Sequence, residues 1–258
     1  MNQFEKFFTE NTHFTLKNGV YQQKGFSNDE FENEYTTIRT KEKRMYDDEF
    51  VRGLPIVPKT HPLFEEWKLR GYTKTNFAAY LKVNNCKSVI EVGCGNGWLT
   101  TLIQSYIGIP ACGIDVGIKE LEQAARISRG KSVFAYGDIF SESFDGLTAD
   151  AIVLSACIQY FPDVNKLLYR LRKMGTVYII DSPIYKPGKS PAAKQRSAAY
   201  FQSMGSPGME KFYYHHERPA FDEFKPEYLY DPSKGIWWFL NLLFKGSPFP
   251  WVKIDKSI

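Results

Sequence analysis

The chain has 258 residues, 43% of them hydrophobic and 24% charged, the balance of an ordinary folded, water-soluble protein. A net charge of +4 and a pI near 8.7 fall short of the clustered basicity of a dedicated nucleic-acid binder. No window reaches the ~18 apolar residues that a membrane-spanning helix needs.

The N-terminus has no apolar run of signal-peptide length, so a cytoplasmic protein is expected. Residues 1 to about 80 are charged and aromatic, with little strand character. Residues 29–48 read as a polar helix, whose Lys41, Lys43 and Arg44 are interrupted by Glu42 and followed by Asp47, Asp48 and Glu49, as on a solvated face. Residues 54–58, with Pro55 and Pro58, must be extended, because proline restricts itself and the residue before it. Residues 62–82 then form an amphipathic helix carrying Phe64, Trp67, Leu69, Phe77 and Leu81.

From Cys86 the rhythm changes to short apolar strands alternating with helices, which predicts a parallel sheet covered on both faces. Strands are expected at 88–92, 111–115, 133–136, 150–155 and 177–181, with helices at 97–106, 119–128 and 164–173. Beyond Pro183 the pattern loosens. Helices are expected at 190–204 and 219–224, a sixth strand at 227–230, an apolar helix at 236–244 and a last strand at 251–254. Cys86, Cys94, Cys112 and Cys157 lack C-x-x-C spacing and lie in or beside strand-like runs. They read as buried thiols in a reducing compartment, and no metal site is expected. Aromatics, 16% of the chain, gather at both ends and read as core packing.

The informative segment runs Glu91-Val92-Gly93-Cys94-Gly95-Asn96-Gly97. A strand ending in glycines lets backbone approach a ligand closely, and the next helix presents free N–H groups at its start. A dinucleotide reading would need glycine where Trp98 stands, and Glu91 would repel a pyrophosphate. A ligand with cationic groups and no phosphate suits the loop better. Asp115, with Val116 after it, ends the second strand about 20 residues on, where a carboxylate can accept ribose hydroxyls. Asp138 follows the third strand, placed for an adenine amino group, with Ile139 to pack the ring.

On these residues, 86 to about 181 resemble the class I S-adenosylmethionine-dependent methyltransferase superfamily. The resemblance implies a Rossmann-like α/β fold with a seven-stranded, mostly parallel sheet, and S-adenosylmethionine as cofactor. Gly93, Gly95 and Gly97, with Cys94 among them, match its first motif, Asp115 its ribose-binding acid and Asp138 the acid beside adenine. It further implies that residues after the fourth strand, from Ser155 and Ala156 to Tyr160, lie along the methionine portion and face the acceptor.

Methyl transfer is an in-line displacement that depends on positioning, and needs a base only if the acceptor loses a proton early. His215 and His216 are the base candidates; the competing account is a surface or core-edge pair bonded to backbone. Tyr160 either meets substrate or packs. Asp181-Ser182-Pro183 faintly resembles an acid–proline signature of amino-methylating enzymes, but follows the fifth strand and reads as a turn. Arg39, Arg44 and Arg70 can meet an anionic acceptor or lie on solvated faces. The division expected is an N-terminal helical cap over 1–82 and a cofactor-binding core over 83–258, with 184–220 as an acceptor lid. The expected reaction is methyl transfer to a small molecule, oxygen slightly preferred, with no membrane partner and no nucleic acid. RNA or protein methylation and a non-catalytic binding role are the alternatives.

Overall fold

A computed structural model describes residues 1–234 and 246–257. The helix expected at 236–244 lies outside the described residues. Among them no helix is long and apolar enough to cross a membrane.

The N-terminal segment departs from the helical expectation. Helix α1 (Gln3–Glu10) opens on a capping box, in which Asn2 accepts from the Glu5 amide and Glu5 from the Asn2 amide. A hairpin follows, β1 (Phe14–Lys17) and β2 (Val20–Gln23), paired antiparallel around Asn18 and Gly19. Both turn residues have positive φ, 51° and 79°, as a two-residue hairpin turn demands. Helix α2 (Asp29–Lys41) stops seven residues short of 48: Lys43 turns left-handed at φ 56° and the Arg44 amide closes back on the Arg39 carbonyl. Helices α3 (Asp48–Gly53) and α4 (Phe64–Val83) complete the region.

The alternating elements then appear as expected: β3 (Val89–Val92), α5 (Trp98–Ile107), β4 (Ala111–Asp115), α6 (Ile118–Ser128), β5 (Val133–Tyr136), β6 (Ala151–Ser155), α7 (Val164–Arg172) and β7 (Thr176–Ile180). Helix α8 (Ser190–Ser203) and the strands β8 (Glu227–Tyr230) and β9 (Trp251–Ile254) follow. The sheet has nine strands in the order β1-β2-β5-β4-β3-β6-β7-β9-β8, two more than the seven expected. The surplus is the N-terminal hairpin, whose β2 runs parallel beside β5 and extends the sheet.

Strand β3 is central, and the chain winds first towards β4 and β5, then towards β6 and β7. This reversal opens a crevice at the carboxyl ends of β3, β4 and β6, where open α/β sheets bind ligands. Alternate residues feed the two faces. Ile90, Ile114, Ile152 and Leu154 pack with Phe8 of α1 and Leu167, Leu168 and Leu171 of α7. Val89, Ala151 and Val153 pack with Phe77 and Leu81 of α4 and Leu99 and Ile103 of α5.

Glu91 is the buried acid of β3, on this second face. Its Oε2 accepts the Thr100 hydroxyl at 2.5 Å, yet burial pushes its pKa up from 4.5 to about 7. Between those values the folded chain holds a proton that the unfolded chain has lost, so this residue makes stability fall as pH rises from 4.5 to about 7 and level off above. Glu91→Gln is expected to flatten that part of the melting temperature–pH curve and to melt no lower than wild type at about pH 8. Phe8, fully buried against Phe14, Tyr21 and Phe144, pins the hairpin to the sheet. Phe8→Ala is expected to cost about 3–5 kcal/mol in urea unfolding.

Candidate active site

The glycine loop sits in the crevice, anchored by Gly93 N–H to the Ile114 carbonyl at 2.8 Å. Gly93 and Gly97 have φ of 75° and 69°. A Cβ on Gly93 would fall 2.6 Å from Cys157 Cβ, and one on Gly97 2.6 Å from Ala124 Cβ. Both places therefore exclude any larger residue. Gly97 starts α5 and lines neither of the cavities described below.

Asp115 completes the loop from the next strand. Its Oδ2 accepts the Gly95 amide at 2.7 Å, and its Oδ1 accepts those of Val116 and Gly117 at 2.7 and 2.8 Å. Burial raises its pKa and the amides pull it back. Asp138 Oδ1 accepts the Phe140 amide at 3.0 Å, while the Asp138 amide donates to Gln23 Oε1 of the hairpin at 3.0 Å. The Ile139 carbonyl accepts Arg170 Nε at 2.8 Å.

These groups line a narrow cavity of about 120 Å³, which brings together Gly93, Gly95, Asp115, Val116, Asp138 and Ile139. Ala156 and Tyr160 close it on the β6 side, and Phe31 and Tyr35 of α2 cover it. A larger chamber of about 450 Å³ continues from it, sharing Tyr35, Gly93, Gly95, Glu120, Ala156 and Tyr160. Glu91, Cys94 and Ser155 lie on this second chamber. Its walls carry Arg39, Arg44, Arg70 and Arg196, with Tyr200, Phe201 and Tyr213 opposite.

The paired histidines line neither cavity. His216 is buried and its Nε2 donates to the Ile158 carbonyl at 3.1 Å. His215 Nε2 lies 2.9 Å from Ser197 Oγ, and Ser197 does line the chamber. Burial lowers the pKa of both rings. Tyr160 packs edge-on to Phe31, Tyr35 and Tyr213 at the junction of the cavities, and burial raises its pKa.

Residues that the sequence left unmarked, or marked with two possible roles, also reach this space. Glu120, in the first turn of α6, is pushed up to about 7 by burial, against the pull of Arg39. Its signal was an acid five residues past Asp115, on the turn that faces the loop. Arg39 Nε and Gln159 Oε1 are buried without a hydrogen-bond partner, and both residues line the chamber. Asp181, expected to be a turn residue, lies on it too, paired with Lys74.

Residues 63–182 match the family model described as "Methyltransferase domain". No curated protein sequence matches the chain. Among solved structures it is similar to geranyl diphosphate C-methyltransferase from Streptomyces coelicolor A3(2), at 13% identity and a TM-score of 0.51 over 78% of this chain and 83% of that one. Magnesium protoporphyrin IX methyltransferase from Synechocystis PCC 6803 gives 11% and 0.53 over 87% and 94%. A plantazolicin methyltransferase gives 14% and 0.52 over 89% and 98%. All three were solved with S-adenosylhomocysteine bound. At such identities the likeness is one of fold. Residues 63–182 therefore match a methyltransferase domain, and the chain around them has the Rossmann-like α/β fold of methyltransferases.

Proposed function

We propose that this protein transfers a methyl group from S-adenosylmethionine to a small-molecule acceptor held in the larger chamber. The observation that carries the reading is the continuity of two unlike spaces at the switch point. The narrow one has two carboxylates and a glycine backbone; the wide one has aromatic and guanidinium walls. Enclosure by α2 and by Tyr200 and Phe201 of α8 suits a small molecule better than a nucleic-acid strand.

The residues present fit the cofactor. The three amides take two acceptor sites on Asp115 Oδ1 and one on Oδ2, which leaves Oδ2 a lone pair to accept a ribose hydroxyl. Asp138 and Ile139 take the adenine edge and face. The unpartnered Arg39 Nε and Gln159 Oε1 complement a carboxylate and an ammonium, the two charged groups of the methionine end. S-adenosylmethionine supplies an electrophilic methyl on a sulfonium. The chain's part is to hold the acceptor against that carbon and exclude water, and Tyr160, between the cavities, is placed to shape the contact. Residues 184–220 act as the lid through Ser197, Tyr200, Phe201, Met209 and Tyr213, while residues 1–82 cover the site through α2. An oxygen acceptor is the preferred case. His215, reaching the chamber only through Ser197, is the better placed of the two histidines to relay a proton.

Calorimetry with S-adenosylmethionine tests the reading. Wild type is expected to bind. Asp115→Ala is expected to weaken binding at least about ten-fold, through loss of hydrogen bonds to a charged acceptor. Gly95→Arg, which drives a side chain into the space beside Glu120, is expected to abolish it. Absence of wild-type binding overturns the proposal.

A further inference from the structure

Beside the chamber a lysine and an aspartate form a buried ion pair. Lys74 of α4 is 1% exposed; its Nζ lies 2.6 Å from Asp181 Oδ2 and also donates to Ser155 Oγ. Thr73 Oγ1 donates to the same Oδ2 at 3.4 Å. Burial pushes the Lys74 pKa down and the Asp181 carboxylate holds it up. Asp181 is the first residue past β7 and sits at φ 51°, a left-handed conformation uncommon outside glycine. Both contacts given for its carboxylate fall on Oδ2, Oδ1 has no hydrogen-bond partner among the described residues, and Asp181 lines the chamber.

Burying an ion pair costs desolvation that its attraction often fails to offset, so such a pair is weak evidence of a stabilising role. Here it holds one carboxylate oxygen and leaves the other without a partner among the described residues, on a side chain that lines the chamber. Resting on the methyl-transfer reading above, we propose that Asp181, positioned by Lys74, recognises the reacting end of the acceptor, and that this end is an uncharged O–H or N–H group on an apolar or aromatic frame. Oδ1 gains its missing partner only from a proton donor. A carboxylate or phosphate at that end would meet Asp181 as a like charge, and a bare carbon nucleophile would leave Oδ1 unpaired. Trp67, Phe201 and Tyr213 on the walls fit the frame. As the acceptor's lone pair bonds to the methyl carbon, the carbon–sulfur pair stays on sulfur. The proton leaving the acceptor passes to Asp181 Oδ1 and from there to solvent on product release.

The test uses benzyl alcohol, its near-isostere ethylbenzene, and benzoate, each titrated into the full chain up to ~10 mM by ligand-observed NMR, with and without S-adenosylhomocysteine. Benzyl alcohol is expected to bind at least about ten-fold more tightly than either, the factor of one hydrogen bond to a charged group. Asp181→Asn keeps the shape but removes the charge, and is expected to cut the alcohol-to-benzoate ratio at least about ten-fold. The groups facing Asp181 are Lys74, Thr73 and Ser155, with Arg70 and Glu91 acting on Lys74. Lys74→Met removes the cation that holds Oδ2 and is expected to lower the alcohol-to-benzoate ratio while leaving S-adenosylhomocysteine binding unchanged, a split that general loss of packing would not produce. If Lys74→Met does not fold, the Asp181→Asn ratio decides. No binding of benzyl alcohol, or a ratio unchanged in Asp181→Asn, overturns the proposal. The two readings separate: failure to bind S-adenosylhomocysteine with the alcohol ratio as expected counts against methyl transfer alone. S-adenosylhomocysteine binding with a flat ratio counts against Asp181 alone.

Discussion

The site hangs on one carboxylate. Asp115 draws amides from two separate stretches of chain, Gly95 in the loop after β3 and Val116 and Gly117 ahead of α6. It thereby fixes the loop relative to the neighbouring strand at a distance that neither element sets alone. Burial works against the charge, and three amide dipoles aimed at it compensate. The loop can reach this position only because Gly93 and Gly97 carry no Cβ where Cys157 and Ala124 press in. Glycine and aspartate are thus one requirement: the first permits the approach, the second holds it.

Around this anchor the fold accumulates charge where charge is expensive. Glu91, Glu120, Lys74 and Asp181 all lie at the carboxyl edge of the central strands, and burial drives the pKa values of both glutamates towards neutrality. Elsewhere the buried ionic contacts have plain architectural roles. Arg218 grips Asp231 through two hydrogen bonds at 2.8 and 2.9 Å, tying the segment after α8 to the end of β8. Arg170 binds the Ile139 and Ser141 carbonyls and keeps the β5 loop in place. Arg218 Nε is left buried without a partner even so, as are a few other atoms away from the cavities. Arg39 Nε and Gln159 Oε1 stand apart from these because their residues line the chamber.

What could be read from the sequence was what local spacing encodes. The loop, Asp115 and Asp138 stand at the ends of three successive apolar strands, so their order along the chain already puts them on one edge. The hairpin also had a local signal, Asn18-Gly19, but its strands are four residues each and largely polar, so the period-two pattern is weak and the segment reads as irregular. Arg39 carried two readings that spacing could not separate, Asp181 read as a turn, and Lys74 could not be read. Lys74 is one cation on a helix with several, and only the packing of α4 across the sheet brings it to a residue more than a hundred positions later. Adjacency misled in the opposite direction. His215 and His216 draw attention as a pair, but an extended chain sends neighbours to opposite sides, and His216 ends on the Ile158 carbonyl.

The N-terminal segment joins the two halves of the site instead of merely covering them. Gln23, the last residue of β2, accepts the Asp138 amide and donates to Ser141 Oγ, so the hairpin holds the loop after β5. Phe31 and Tyr35 then wall the narrow cavity, and Arg39 and Glu42, one and two turns further along α2, wall the chamber. One short run of chain therefore touches the β5 loop, the junction and the acceptor space in turn. A shift of α2 that reshapes the acceptor wall must also move the cover over the narrow cavity, because both are faces of a single helix. The shapes of the two cavities are coupled here by covalent continuity, and the hairpin's place in the sheet gives that coupling a rigid base.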